Sequence, residues 1–258
     1  MLTAITRCVS PAFRSCQLEY LARQEIDLAQ AVAQHSAYEA CLRDLGVRVI
    51  SLPADDALAD CVFIEDAAIV LDEVAAITRM GTPSRRPEVE IVADALSAHR
   101  PLQWITEPAT IEGGDVMRCG RTLYVGLSRR TNQEGIAQLR AIASPLGYDV
   151  VPVAVHGCMH LKTGCSWLGD GRVLMNKDWI ESRAFSDFES IEVPQEEPWA
   201  ANVLRIDDVV VLPSGFPRTG EQLQKLGLKV RCVDICELAK AEAGVTCMSL
   251  IFQTRLHR

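Results

Sequence analysis

The chain has 258 residues, of which 48% are hydrophobic and 23% are charged, so it can bury a large core and is neither disordered nor fibrous. Its formal net charge of -8 argues against a nucleic-acid partner, because phosphate binding requires a clustered basic face. No apolar run reaches the length of a signal peptide or a membrane span. This predicts a cytoplasmic protein with no membrane partner, whose ten cysteines are reduced thiols.

Four segments have helical periodicity, and each is followed by a glycine or proline and then by a strand. They are residues 18–46 before VRVISL, residues 87–99 before LQWIT, residues 132–146 before YDVVPV and residues 220–226 before LKVRCVDI. The same unit of helix, turn and strand therefore recurs along the chain.

Pairs of short apolar strands, each split by a tight polar turn, lie between these helices. They are VFIEDAAIVLDEVAAITRM, DVMRCGRTLYVGLS, CSWLGDGRVLMN and VLRIDDVVVLPSG. A spacing of roughly 35 to 55 residues is compatible with about five irregular ββαβ repeats. A doubly wound sheet would carry a glycine-rich phosphate loop, and neither G-x-G-x-x-G nor a P-loop is present, so a closed radial arrangement is favoured.

In a radial array the ends of successive units point at one axis, where polar side chains from distant segments can meet. The candidates are Asp60, Glu65, Asp66, Arg85, Glu112, Asp115, Arg130, His160 and Cys247. Cys247 would react as a thiolate, which needs a cation or a proton acceptor, and His160 can supply that assistance. Taken alone, each residue is more typical of a structural role, the cysteine as a buried thiol and the histidine as a packed imidazole at a strand end.

The acidic motifs suit a cationic ligand. Glu112 precedes two glycines, so the backbone beside it can approach a ligand closely. Glu65 and Asp66 are adjacent in an apolar strand, where at least one should face inward and need a partner charge such as a guanidinium. A solvated turn and a wet sheet edge remain the alternatives for these motifs.

The cysteine spacing does not favour a metal site. No C-x-x-C occurs, and the cluster of His156, Cys158, His160 and Cys165 lacks a second pair at a zinc-module distance. No metal is predicted.

The motifs FIED, PSRR, IEGGD, GLSRRTNQEG, HLKTGCS and GVTCMSL together resemble the dimethylarginine dimethylaminohydrolases, from about residue 15 to residue 253. That family belongs to the guanidino-group-modifying superfamily. The resemblance implies the pentein fold, a five-bladed α/β-propeller of ββαβ repeats, as a single domain over residues 1–258.

The resemblance also assigns roles. Cys247 would be the nucleophile, His160 the general acid and base, and Glu112 the acid that orients the histidine and contacts the guanidinium. The implied ligand contacts are Asp66 to the guanidino nitrogens, Glu65 and Asp60 to polar groups, Arg85 and Arg130 to the carboxylate, the Ala241 carbonyl to the α-amine, and Leu18 on a mobile flap. Motif register selects Arg85 over Arg86 and Arg130 over Arg129.

The implied activity is hydrolysis of Nω-methylated arginines to L-citrulline through a covalent S-alkylthiouronium on the cysteine. No metal or organic cofactor is implied; the partner is a small cationic amino acid, and the protein would be a monomer or homodimer. The alternatives are another guanidino enzyme of the same fold (arginine or agmatine deiminase, or an amidinotransferase) and a non-catalytic binding protein.

Overall fold

The computed structural model describes residues 1–254, which form five three-stranded sheets. The strands are β1 (Leu2–Arg7), β2 (Arg48–Leu52), β3 (Ala68–Val70), β4 (Ala75–Ile77), β5 (Leu102–Trp104), β6 (Val116–Cys119), β7 (Thr122–Leu127), β8 (Asp149–Ala154), β9 (Cys165–Gly169), β10 (Arg172–Met175), β11 (Glu189–Glu192), β12 (Leu204–Ile206), β13 (Val209–Pro213), β14 (Lys229–Val233) and β15 (Leu250–Gln253).

All five sheets share one topology: a first strand runs antiparallel to a second, which runs parallel to a third. The sheets are β3-β4-β5, β6-β7-β8, β9-β10-β11, β12-β13-β14 and β15-β1-β2. The last sheet joins the two ends of the chain, with Leu2 opposite Gln253 and Ile5 opposite Leu250. The C-terminal strand therefore closes the ring of repeats.

Helices provide the crossovers that parallel strand pairs require. The helices are α1 (Leu28–Asp44), α2 (Val89–Ser97), α3 (Gln133–Ala143), α4 (Leu161–Gly164), α5 (Pro217–Lys225) and α6 (Cys236–Ala239), and those that join parallel strands are α1, α2, α3 and α5. Of these, α1, α2, α3 and α5 correspond to the four helices predicted from the sequence. In the sheet β9-β10-β11 a 3-10 turn, Ser182–Phe185, lies between β10 and β11. None of the helices in residues 1–254 is long and apolar enough to span a membrane.

The first helix is shorter than its periodicity predicted. It begins at Leu28, where the Asp27 carboxylate accepts a hydrogen bond of 3.1 Å from the Gln30 amide and acts as the N-cap. Residues 17–26, which we name the covering loop, are irregular. Their amides find acceptors elsewhere in the fold, so a helix over this segment was the wrong prediction.

The FIED motif also differs from its predicted strand. Ile64–Ala67 forms one 3-10 turn directly before β3, and all four of its residues are buried. Adjacent side chains in a 3-10 turn point in directions that differ by a smaller angle than the opposite faces of a strand. Both acids can therefore be buried while each has a different partner.

The first strands of the sheets lie toward the common axis, where β15 contacts β3, β6 contacts β9 and β9 contacts β12. Apolar clusters fill the space between the sheets and their crossover helices. A hydrogen bond of 2.7 Å within this core joins the hydroxyl groups of the fully buried Tyr38 of α1 and Ser249. That bond fixes the chain two residues beyond Cys247.

Candidate active site

The candidate residues come from equivalent places in the repeats. Each lies two to five residues before the first strand of a sheet: Asp66, Glu112, His160 and Cys247 precede β3, β6, β9 and β15 in that order. Because those strands surround one axis, four distant segments deliver their side chains to one place. This repeat geometry explains the order of the motifs along the chain.

A cavity of about 20 Å³ lies beside Cys247, which is room for about one water molecule. Its lining includes seven of the ten residues predicted to form the site: Asp60, Asp66, Arg85, Arg130, His160, Ala241 and Cys247. The other lining residues are Gln17, Phe63, Met159, Thr163, Glu242 and Ala243. Within the described residues, Arg86 and Arg129 are not part of this lining, which supports the predicted motif register.

The thiol of Cys247 is neutral at ordinary pH. Burial, together with the negative charges of Glu65 and Asp66, raises its pKa to about 12. The Gly244 amide donates to its Sγ at 3.3 Å, and the Glu65 amide donates to its carbonyl oxygen at 3.1 Å. A bound cation would oppose the carboxylates and favour the thiolate.

His160 is held in a buried pocket of negative charge. Its Nε2 lies 2.8 Å from Glu112 Oε2 and 3.9 Å from Asp66 Oδ1. Burial alone would lower the pKa of the imidazole, but Asp66 and Glu112 outweigh it and raise the pKa to about 9. The ring is therefore cationic at neutral pH and able to donate a proton.

Glycine makes room for this ring. A Cβ at Gly114 would lie 2.6 Å from His160 Nδ1 and 2.7 Å from Asp66 Oδ1, closer than such atoms approach. The amide of Gly114 also donates to Asp66 Oδ1 at 3.0 Å. The second glycine of IEGGD is thus required by close packing between the acid and the imidazole.

Glu112 is fully buried and has several donors. Its Oε1 accepts from the Gly81 amide at 3.0 Å and from Arg130 at 3.4 Å, while Oε2 faces His160. Burial would raise its pKa, but the hydrogen bond from His160 contributes to a net lowering. The carboxylate is therefore ionised and can fix the imidazole in place.

Asp66 pairs with Arg85 at 2.8 Å between Oδ2 and Nη1. Burial would raise the pKa of Asp66, but His160 and Arg85 overcome it and hold the pKa at about 2. Arg85 also donates to both oxygens of Glu88, at 3.1 and 2.9 Å. This guanidinium therefore binds two carboxylates of the protein itself.

Arg130 is also engaged from within the chain. Its Nε lies 2.6 Å from Oε1 of Glu19 on the covering loop, and its Nη1 contacts Glu112. Asp60 is held by the same loop, because the Gln17 amide donates to its carboxylate at 3.0 Å. Burial raises the pKa of Asp60.

Three predicted residues lie outside the lining: Glu112, which is bonded to His160, and Glu65 and Leu18. Glu65 is directed away from the cavity, with Oε1 at 2.5 Å from Lys162 Nζ and Oε2 accepting from Thr246 at 2.8 Å. Leu18 is half-buried on the covering loop and packs against the apolar cluster that includes residues of α1. Neither side chain lines the cavity beside Cys247. This arrangement therefore does not support a direct contact between Glu65 and the ligand.

Sequence reasoning missed several residues of the site. Lys162 and Thr163 belong to the HLKTGC motif, which offered a signal. Glu88, Glu19 and Glu242 offered none, because their partners are distant in sequence or depend on loop conformation.

Asp115, a candidate in the IEGGD motif, lies behind His160. Its carboxylate accepts hydrogen bonds from Ser128, Thr131 and the Leu161 amide at 2.6, 2.7 and 2.9 Å.

Within the described part of the chain, one group of side chains has donor atoms close enough to hold a metal ion. It consists of Asp66, Glu112 and His160, whose ligand atoms lie within 4.8 Å of one another. Arg85 already supplies positive charge beside both carboxylates.

Fold and site together define the class of protein: an α/β-propeller enzyme in which a cysteine thiol lies beside a cationic histidine and carboxylates suited to a cation. Residues 14–206 match the family model described as N,N dimethylarginine dimethylhydrolase, eukaryotic. The N(G),N(G)-dimethylarginine dimethylaminohydrolase of Pseudomonas aeruginosa is 39% identical over 228 residues, covering 88% of this chain and 90% of that protein. The protein of that name from Streptomyces coelicolor is 38% identical over 250 residues, covering 96% and 95%.

This chain belongs to the dimethylarginine dimethylaminohydrolase family. A solved structure of the Pseudomonas aeruginosa protein, a cysteine-to-serine variant complexed with citrulline, matches it with a TM-score of 0.93 at 36% identity. The match covers 97% of this chain and 98% of that one. The predicted five-bladed α/β-propeller is thereby confirmed.

Proposed function

We propose that this protein hydrolyses asymmetric dimethylarginine and monomethylarginine to L-citrulline and dimethylamine or methylamine. The observation that carries the proposal is the meeting of Cys247, a cationic His160 and two ionised carboxylates at one axis. The family membership of the chain supports the same reaction.

The carboxylates define the orientation of the ligand. Asp66 and Glu112 would bind the guanidinium, and the positive charge brought in would lower the pKa of the Cys247 thiol. Arg130 would receive the ligand carboxylate, and the Ala241 carbonyl would accept from the α-amine. Asp60 would contact the remaining polar groups.

When the cationic ligand binds, the Cys247 thiol loses its proton to water, and the first chemical step then forms a bond between the thiolate Sγ and the guanidinium carbon. His160 donates its proton to the substituted nitrogen, and the bond from carbon to that nitrogen breaks, releasing the neutral amine. An S-alkylthiouronium remains on the cysteine. Glu112 keeps the imidazole oriented throughout.

The second step consumes water. His160, now neutral, accepts a proton from the water as its oxygen adds to the thiouronium carbon. The carbon–sulfur bond then breaks to release citrulline, and the remaining hydroxyl proton of the adduct passes to sulfur and restores the thiol. The same histidine therefore serves first as acid and then as base.

A colorimetric citrulline assay with arginine, asymmetric dimethylarginine and agmatine side by side tests the proposal. We expect citrulline from dimethylarginine, together with one equivalent of dimethylamine. Replacing the nucleophile in Cys247→Ser should lower kcat by at least about 10⁴-fold. The exposed Cys232 lies on β14, so Cys232→Ser is the matched control and should retain activity.

Other products would identify another reaction of the same fold. Citrulline and ammonia from arginine would define an arginine deiminase, and carbamoylputrescine from agmatine would define an agmatine deiminase. Substantial turnover by Cys247→Ser would contradict the covalent mechanism, and no product from any of the three substrates would favour a binding protein.

The setting of the enzyme remains part of the proposal. All ten cysteines lie in residues 1–254 and are free thiols, which suits a reducing cytoplasm. A single domain over residues 1–258, as a monomer or homodimer, stays a prediction from the sequence.

A further inference from the structure

The covering loop is fastened to the site by the carboxylate of Glu242. One oxygen, Oε1, accepts from the consecutive amides of Glu19, Tyr20 and Leu21 at 3.0, 2.7 and 2.7 Å. Successive amides directed at one anion form a concave nest that fixes the backbone around it. Glu242 lies five residues before Cys247, so the loop conformation is tied to the segment that carries the thiol.

This conformation places a second carboxylate on Arg130. Oε1 of Glu19 lies 2.6 Å from Nε of Arg130, and the exposed fractions of the two side chains are 20% and 4%. A charge-assisted contact between largely desolvated groups is among the stronger side-chain interactions. Arg130 is the guanidinium that the proposed function gives to the ligand carboxylate, and Arg85 is already paired with Asp66 and Glu88.

The closed loop leaves no room for an amino-acid ligand. The cavity of about 20 Å³ holds about one water molecule. Entry of a ligand therefore requires the covering loop to withdraw, and the loop carries Glu19 with it. Withdrawal would leave the buried Arg130 without this partner unless another carboxylate replaces it.

We propose that Glu19 is a tethered competitor of the substrate carboxylate. With the covering loop closed, Glu19 neutralises Arg130; when a ligand binds, its α-carboxylate takes the place of Glu19. Resting on the proposed function, this exchange makes Glu19 a specificity-determining residue that weakens the binding of ligands with a carboxylate. Ligands without a carboxylate are unaffected, because after such a ligand enters, the covering loop can close again with Glu19 on Arg130. The competition lowers the apparent affinity for a carboxylate ligand, because that ligand binds only to the fraction of enzyme in which Arg130 is free of Glu19.

Calorimetry on the Cys247→Ser protein, with and without Glu19→Gln, tests the exchange. The ligands are L-citrulline and its carboxamide, which differ in the group that would meet Arg130. We expect Glu19→Gln to bind L-citrulline about tenfold more tightly, because the competitor is gone, and to bind the carboxamide unchanged. Glu25→Gln removes the same charge from an exposed position of the same loop and should change neither affinity.

Weaker binding of L-citrulline by Glu19→Gln would overturn the proposal, because Glu19 would then be a ligand contact. If L-citrulline binds with the same affinity with and without Glu19→Gln, the proposal is also overturned, since Glu19 would then not compete with the ligand. Equal tightening of both ligands would show a general loosening of the loop and not a carboxylate exchange.

Failure of the proposed function gives a different pattern. In that case the Cys247→Ser protein binds no L-citrulline, and the unmodified enzyme forms none from dimethylarginine. Thermal unfolding of each variant confirms that the comparison is made between folded proteins.

Discussion

Glu65 and Asp66 are neighbours in one 3-10 turn, yet they belong to two different regions. The Asp66 carboxylate lies in the cavity beside Cys247, bound to Arg85 and close to His160. The Glu65 carboxylate points to the other side of the turn, where it is bound to Lys162 and Thr246. Adjacent carboxylates are thus divided between the reacting groups and the framework that holds them.

Their surroundings give the two acids opposite electrostatic character. Burial disfavours both charges, but His160 and Arg85 overcome it at Asp66, whose pKa is held at about 2. At Glu65 burial prevails over Lys162, and the pKa is raised. The carboxylate that we propose to bind the ligand cation is therefore compensated more strongly than the carboxylate bonded to Lys162 and Thr246.

The Glu65 side is a network beneath the nucleophile. Asn202 accepts from the Thr246 amide at 3.1 Å and donates to the Thr246 hydroxyl at 3.0 Å and to the Lys162 carbonyl at 2.8 Å. A Cβ at Gly244 would overlap Asn202. These bonds hold residues 244–247 against the turn, so they position Cys247 without touching the cavity.

The largest expected effect is that of Asp66→Asn on activity. The change keeps the shape but removes the charge facing the guanidinium and His160. We expect kcat/KM to fall about 10³-fold, or about 4 kcal/mol of transition-state stabilisation, in the citrulline assay. A loss of less than tenfold would mean that Asp66 does not bind the ligand cation, and it would contradict the difference in role between Asp66 and Glu65.

A smaller effect, on a different quantity, is expected for Glu65→Gln. Removing one member of a largely buried ion pair should lower the free energy of unfolding by about 3 kcal/mol, measured by urea denaturation. Activity under conditions where the protein stays folded should remain within about tenfold of the unmodified enzyme.

Lys162→Met combined with Glu65→Gln supplies the control, because it removes both charges and should recover part of the lost stability. The comparison fails if folded Glu65→Gln is as inactive as Asp66→Asn. Glu65 would then contact the ligand, as the family resemblance implied.

The sequence predicted the repeats because the hairpins, the helices α2, α3 and α5 and the stop glycines are local patterns. It predicted the main site residues because their motifs resemble those of a known family. The covering loop escaped prediction because its amides bond to Glu242, more than two hundred residues along the chain. The direction of Glu65 escaped for the same reason, since it depends on Lys162 and Thr246.

The pKa of His160 shows which of the two acids, Asp66 or Glu65, acts on the electrostatics of the reacting groups. Its pKa is raised from 6.5 to about 9, so its charged contacts stabilise the fold fully below about pH 6.5. That contribution is lost as the pH rises through about 9. Asp66 and Glu112 contribute to the shift, and Glu65 is not among its main causes.

The most direct test is an NMR titration of the His160 ring in the unmodified protein, Asp66→Asn and Glu65→Gln, with the resonance assigned by its loss in His160→Gln. We predict a pKa of about 9 in the unmodified protein and in Glu65→Gln, and a clearly lower value in Asp66→Asn. A pKa near 6.5 in the unmodified protein, or equal lowering by both substitutions, would contradict the division between the two neighbouring acids.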